Sequence, residues 1–215
     1  MSTELALASE IGAMAKYDES IFKSLTTSTG FLPYLQLMSG ASEIVKEGKF
    51  PIGHFALVEG KDLFDLGDTF VCLPLTWRPK AMQFQPEVLA YYDPESEGFK
   101  KLQEHADTMV SSGCGYGPEF LLWIPSVGKY ATLFCANTTM RREAPNLLSH
   151  MLRTCSIKSK LIKTKKHTWH GPSIETVDVE IDLPDSEEAR AKIDSFNNPP
   201  EQKVEIDDSS DSRER

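Results

Sequence analysis

DTFVCLPLTWRPKAMQFQPEVLAYYD, residues 68–93, decides how this chain is to be built. DTFVCLPLTW (68–77) and KAMQFQPEVLAYYD (80–93) are rich in aliphatic, aromatic and β-branched residues, the types that fit a pleated surface. Prolines at 74, 79 and 86 interrupt them. Proline cannot donate to a ladder, so these runs belong to edge strands or bulges rather than to a flat central sheet.

Outward from this stretch the β pattern continues. FLPYLQLM (31–38) alternates as a strand with Leu35 and Leu37 on one face, and GHFALVEGKDLF (53–64) reads as a hairpin turning over Glu59–Asp62. SEIVKEGK (42–49) is a turn or helical turn closing at Gly48. The apolar PEFLLWIP (118–125) is followed, after a turn at Gly128, by the strand KYATLFCAN (129–137). ETVDVEIDLP (175–184) alternates Val177, Val179 and Ile181 with acids and is expected to be a strand too.

Helical spacing predicts helices at four places: about Thr3–Lys16, within SEGFKKLQEHADTMV (96–110), within TTMRREAPNLLSHMLRTC (138–155), and within SEEARAKIDSF (186–196). The third has Ala144, Leu147, Leu148, Met151 and Leu152 as its buried stripe, and Pro145 must sit in its first turns or kink it. Helices are interspersed without β-α-β rhythm. The expected class is α+β, a mostly antiparallel sheet or open OB-like barrel with flanking helices and a disordered acidic C-terminal tail. Residues 1–30 form an N-terminal helix and linker, 31–198 an α+β nucleic-acid-binding domain, and 199–215 the tail.

At 215 residues the chain suffices for one substantial core. No apolar run reaches the roughly 18 residues needed to cross a bilayer, and MSTELALASEIGAMAKYDES lacks the basic start of a signal peptide. No membrane is involved, and a cytoplasmic protein is expected, in the host cytoplasm if the protein is viral. Cys72, Cys114, Cys135 and Cys155 stand far apart with no C-x-x-C pair, as buried free thiols do.

The formal charge of −9 hides a division. Residues 1–140 hold 10 Lys+Arg against 17 Asp+Glu, and residues 171–215 hold 5 against 14. Between them Arg141, Arg142, Arg153, Lys158, Lys160, Lys163, Lys165 and Lys166 face Glu143 alone. Such segregation points to a polyanion-binding patch beside an acidic tail.

KSKLIKTKKHTWHGP (158–172) concentrates the patch. As one long strand it sets Lys163, Lys165, His167 and Trp169 on a common face. Lysines there would follow phosphates and the indole would stack a base, a contact worth about 1–3 kcal/mol. A duplex hides its base faces, so the expected target is a single strand. The competing reading is a solvated edge strand whose lysines discourage aggregation, with Trp169 in the core. The arginines of the neighbouring helix favour binding, because an acidic protein needs no such patch for solubility.

Two smaller features join the candidate set. SSGCGYGPEF (111–120) is expected to be a mobile turn presenting Tyr116, either as a second stacking platform or in the core. Arg78 stands beside Trp77 and Lys80. SSGCGYGPEF lacks the glycine spacing of a dinucleotide loop and the Gly-Lys-Ser/Thr of a P-loop. G-x-S-x-G and H-E-x-x-H are absent, and the five histidines have no ligand spacing. No enzyme, metal or cofactor is expected.

FLPYLQLMSGASEIVKEGKFPIGHF, YGPEFLLW and the closing Lys-rich segment with its Trp, together spanning residues 31–170, resemble small replication- and transcription-associated proteins of bacteriophages. These are single-stranded DNA-binding proteins, some of which recruit a phage RNA polymerase to melted promoters. The resemblance implies a non-enzymatic protein that coats or holds unwound DNA for replication or phage transcription. Its partners would be single-stranded DNA, a phage RNA or DNA polymerase, and further copies of itself. VEIDDSSDSRER (204–215) is similar to the acidic tails with which many such proteins dock partners and compete with DNA, although it ends Arg-Glu-Arg rather than in a hydrophobic residue. The alternative is a protein-binding adaptor that recruits a viral polymerase without tight DNA binding of its own.

Overall fold

The computed structural model describes residues 22, 23, 25, 32–108, 113–136, 138–185 and 187–197. The helix expected over Thr3–Lys16 and the tail at 199–215 lie outside them. Nine strands form one sheet: β1 (Tyr34–Leu37), β2 (Phe55–Glu59), β3 (Asp62–Asp65), β4 (Thr69–Gln83), β5 (Leu89–Tyr91), β6 (Cys114–Ile124), β7 (Lys129–Phe134), β8 (Cys155–Lys163) and β9 (Thr168–Thr176). Their order is β3-β2-β1-β7-β6-β4-β8-β9, with β5 also paired to β4. β1 and β7 are parallel, and every other pair is antiparallel. Among the described residues, helices α1 (Glu97–Thr108), α2 (Thr138–Ser149) and α3 (Glu187–Asn197) flank the sheet, and Glu43–Lys46 makes a single helical turn. The protein is therefore α+β with a mostly antiparallel sheet, and no ladder joins β3 to β9, so the sheet is open.

The quoted stretch is the spine. Two separate runs were expected, yet β4 continues for 15 residues through Pro74 and Pro79. The reason is its edge. β8 pairs only with Thr69–Cys72, β5 only with Ala81–Gln83, and β6 takes the other side. The prolines fall in the interval without β8 or β5, where a missing N–H leaves no ladder bond unmade. Pro74 also borders a register shift against β6. That bulge turns the alternation over: Phe70 and Cys72 enter one core, Leu73 and Leu75 the opposite one, and Trp77 returns to the first.

The first core joins Leu35, Phe55 and Leu57 from one end of the sheet to Cys155 and Ile157 at the other, with Met140, Ala144 and Leu147 of α2 packed against them. A sheet whose distant strands share a core is strongly curled. Curling brings β9 back to the turn before β2, where a Cβ on Gly53 would lie 2.7 Å from the His170 ring. Gly53 also has φ +80°, so glycine is required there twice over. On the opposite face Leu73, Leu75, Leu121 and Trp123 meet Phe22, Leu25, and Ala189 and Ile193 of α3.

Four expectations need correction. The Lys-rich segment is not one strand, because Thr164–His167 form a turn: Thr164 N donates to His167 O at 2.8 Å, and His167 N donates to Thr164 Oγ1 at 3.0 Å. The Gly-rich segment is largely strand β6, not a mobile turn. Residues 177–184 form no strand, since β9 ends at Thr176. Leu152 lies beyond α2 at φ +60° and packs on the second core, its N–H donating to Pro74 O at 2.8 Å. Pro145 lies inside α2. Among the described residues no helix is long and apolar enough to cross a membrane.

Candidate functional site

β8 and β9 form a hairpin whose register fixes which side chains meet. Residues directly opposite share a face. The pairs Lys160↔Gly171, Ile162↔Trp169 and Lys158↔Ser173 place Lys158, Lys160, Ile162, Trp169, Ser173 and Glu175 on one side. Lys163 falls on the other side, with Leu161, Thr168 and His170. The expected line Lys163-Lys165-His167-Trp169 is thus replaced by Lys158-Lys160-Trp169, because the turn at Thr164–His167 breaks the alternation. Lys165, Lys166 and His167 crown the hairpin, and Lys163 stands at its shoulder.

All six of Lys158, Lys160, Lys163, Lys165, Lys166 and His167 are exposed, and Trp169 is half-buried. Lys160 Nζ pairs with Glu175 at 2.9 Å. The hydrogen bond and charge of Lys160 hold the Glu175 carboxyl below the usual carboxylate range, with Lys158 adding to the effect. Both partners are half in water, where solvent screens such a pair and it adds little to stability.

The remaining expected residues lie elsewhere. Arg153 is exposed in the turn leading to β8, and Arg142 is exposed on α2. Arg141 is half-buried, its guanidinium carbon 4.7 Å from the centroid of the Tyr116 ring. Tyr116 donates its hydroxyl to Asp107 Oδ1 at 2.9 Å. Burial, and then that hydrogen bond, push its phenol up from the ordinary value. Tyr116 packs beside Phe99 and Leu102 of α1, so it is an anchored side chain and not the tip of a turn.

Arg78 sits in a second constellation, on the outer face of β4, β6 and β7. Register opposes Arg78 to Glu119, and Glu119 to Phe134. Glu119 is only 2% exposed and receives Arg78 Nε on Oε2 and Lys80 Nζ on Oε1, each at 2.6 Å. The Arg78 guanidinium lies 3.8 Å from the Tyr92 centroid and 4.2 Å from that of Phe22, and Lys80 Nζ lies 4.8 Å from that of Phe134. Burial, then the Glu119 charge, push the Tyr92 phenol up. Sequence reading set Arg78 and Lys80 beside Trp77 and took only Arg78 as a site residue; Glu119, Tyr92, Phe22 and Phe134 were missed. An acid inside the apolar run PEFLLWI and two cations inside LTWRPKAM were the available sign, since alternation sets 78 and 80 on one face.

Glycines make this arrangement possible. A Cβ on Gly117 would overlap the Cys135 carbonyl oxygen, and one on Gly115 would stand 2.9 Å from Ala136 Cβ and 3.5 Å from the Phe84 ring. Phe84 lies 6.5 Å from Phe134, centroid to centroid, and is 45% exposed. Among the described residues no group of three His, Cys, Asp or Glu side chains is placed to hold a metal.

The fold and these two constellations define an α+β protein with an open, mostly antiparallel sheet, one projecting basic hairpin and one enclosed cation–aromatic cluster. No protein family, curated protein or solved structure matches the chain.

Proposed function

We propose that the protein binds single-stranded DNA through the β8–β9 hairpin, as the bacteriophage-type resemblance implies, holding unwound DNA for replication or phage transcription without catalysing a reaction. The observation that supports this reading best is the hairpin face that carries Lys158 and Lys160 in line with the half-buried Trp169, which stands opposite Ile162. A phosphate chain can follow the lysines while a base meets the indole. Lys163, Lys165, Lys166 and His167 extend the cationic surface around the tip. The proposal includes an OB-like use of the curled sheet, a disordered acidic tail that competes with the strand for the hairpin, and cytoplasmic location.

Gel shifts with dT oligomers, a matched duplex and RNA test it. The oligomer should bind more tightly than the duplex, with a log–log salt slope of about −0.7 per phosphate neutralised. Lys158→Glu with Lys160→Glu should abolish most of this affinity with the fold intact, because both side chains stand in water. Equal affinity for oligomer and duplex at one salt concentration would overturn the single-strand preference, and a flat salt response would remove the electrostatic account. The adaptor reading draws support from Phe84, Val88 and Leu89, exposed apolar residues around the β4–β5 connection. It would stand in place of the first if neither nucleic acid bound tightly.

A further inference from the structure

Arg78, Lys80 and Glu119 carry two positive charges against one negative. Both carboxylate oxygens are already used, one by each cation. Arg78 has five N–H donors and spends one, Lys80 has three and spends one, and neither has another hydrogen-bonding partner among the described residues. Both side chains are largely enclosed, 15% and 12% exposed. Two cations drawn into a protected place around one carboxylate leave a net charge that water screens poorly.

The surroundings specify what would balance it. The guanidinium is held between the Phe22 and Tyr92 rings, so its faces are covered and its edge carries the remaining donors. Such an edge matches an oxyanion with several acceptor oxygens. Beyond Lys80 the surface continues through Phe134 to Phe84, a tilted aromatic pair with the outer ring open to solvent. An oxyanion pocket adjoining an accessible aromatic face is the complement of a nucleotide.

We propose that Arg78 and Lys80 bind one phosphate-class oxyanion and that Phe84 stacks the base attached to it. The phosphate is either a backbone phosphate of a bound strand or that of a free mononucleotide. The site is separate from the β8–β9 hairpin and does not require the hairpin to bind DNA.

The experiment is an NMR titration of the full chain with inorganic phosphate, dTMP and thymidine at fixed ionic strength. Phosphate and dTMP should both shift resonances of Arg78 and Lys80, and only dTMP should also shift Phe84 strongly. Lys80→Met leaves Arg78 and Glu119 as a one-to-one pair, so the fold should hold, and affinity for phosphate and dTMP should fall about tenfold, the loss of one charged hydrogen bond. Phe84→Ser, on the exposed connection, should weaken dTMP and leave phosphate unchanged. Displacement of dTMP by a dT oligomer identifies the strand as the source, and a ternary complex identifies the free nucleotide. No saturable shift at Arg78 and Lys80 in the wild-type chain, or equal affinity in Lys80→Met, overturns the proposal. Failure of the hairpin reading would look different: Lys158→Glu with Lys160→Glu would leave dT-oligomer affinity unchanged while dTMP still shifted these residues.

Discussion

On the β8–β9 hairpin, lysines stand in water with Glu175 as the one carboxylate of the Trp169 face. On β4, Arg78 and Lys80 close around a buried Glu119 between aromatic rings. Both regions set cations beside aromatics, yet water decides their roles. Exposed cations can exchange solvent, counterions or a half-solvated partner such as Glu175 for phosphates at little structural cost. Enclosed cations are part of the fold: Glu119 needs them, and they need Glu119. Charge counted along a sequence cannot separate the two cases.

The hardest test of this contrast is Glu119→Ala. Two enclosed cations would lose their counter-charge, and breaking a buried pair in this way costs about 3–5 kcal/mol. Thermal or urea unfolding should show a loss on that scale. Lys80→Met in the same chain should recover part of it, because one of the two stranded charges is then gone. A cost below about 1 kcal/mol would place the cluster with ordinary surface pairs and dissolve the comparison.

Trp169→Ala comes next and probes the hairpin in the opposite sense. If the indole stacks a base, oligomer affinity should fall by about 1–3 kcal/mol while the melting temperature moves little. A steep fall in melting temperature with unchanged affinity of the folded fraction would make Trp169 a core side chain.

These regions were unequally legible in the sequence. β1, the β2–β3 hairpin, β7 and helices α1 and α3 follow from local alternation or helical spacing, and the structure has them where that periodicity places them. The β8–β9 turn was hidden because Thr164–His167 contains no glycine or proline to mark it, and a threonine hydroxyl adds two hydrogen bonds to its one backbone bond. The continuity of β4 through two prolines was hidden for another reason. It depends on where β8 ends and β5 begins on the neighbouring edge, which is tertiary information. Glu119 was hidden likewise, since its partners lie about forty residues away and meet it only through the β4–β6 register. Alternation names a face; only the ladder says what stands opposite.

A smaller effect separates the cluster by pH. Burial and the Glu119 charge raise the Tyr92 phenol, so the folded state holds that proton more tightly than the unfolded chain. The resulting stability is intact below the unfolded value near pH 10 and is lost as pH rises through the raised folded value. Tyr92→Phe keeps the ring against Arg78 and removes the titration. Melting temperatures taken between about pH 9 and 11 should therefore decline less steeply in the variant than in the wild type. Parallel declines would mean that Tyr92 ionises freely in the folded protein, and that the cluster is wetter than its geometry implies.

The smallest effect expected is that of Glu175→Gln. Glu175 is half in water and tied to Lys160, so its removal should leave the melting temperature almost unchanged. Its consequence should appear in binding. With Glu175 present, a phosphate approaching Lys160 must displace a carboxylate that already occupies the ammonium group; with glutamine there, it need not. The variant should therefore bind dT oligomers slightly more tightly at low salt, and the advantage should vanish as salt screens the competing charge. The same competition weakens in the wild type only at acid pH, as pH falls through the depressed folded value of Glu175, so at neutral pH the two proteins should remain distinct. A fluorescence-anisotropy titration of both with one oligomer at two salt concentrations reads this directly. Tighter binding by the wild type at low salt would mean that the Lys160–Glu175 pair orders the hairpin for the strand, and that cations on this face, like those around Glu119, work only when held in place.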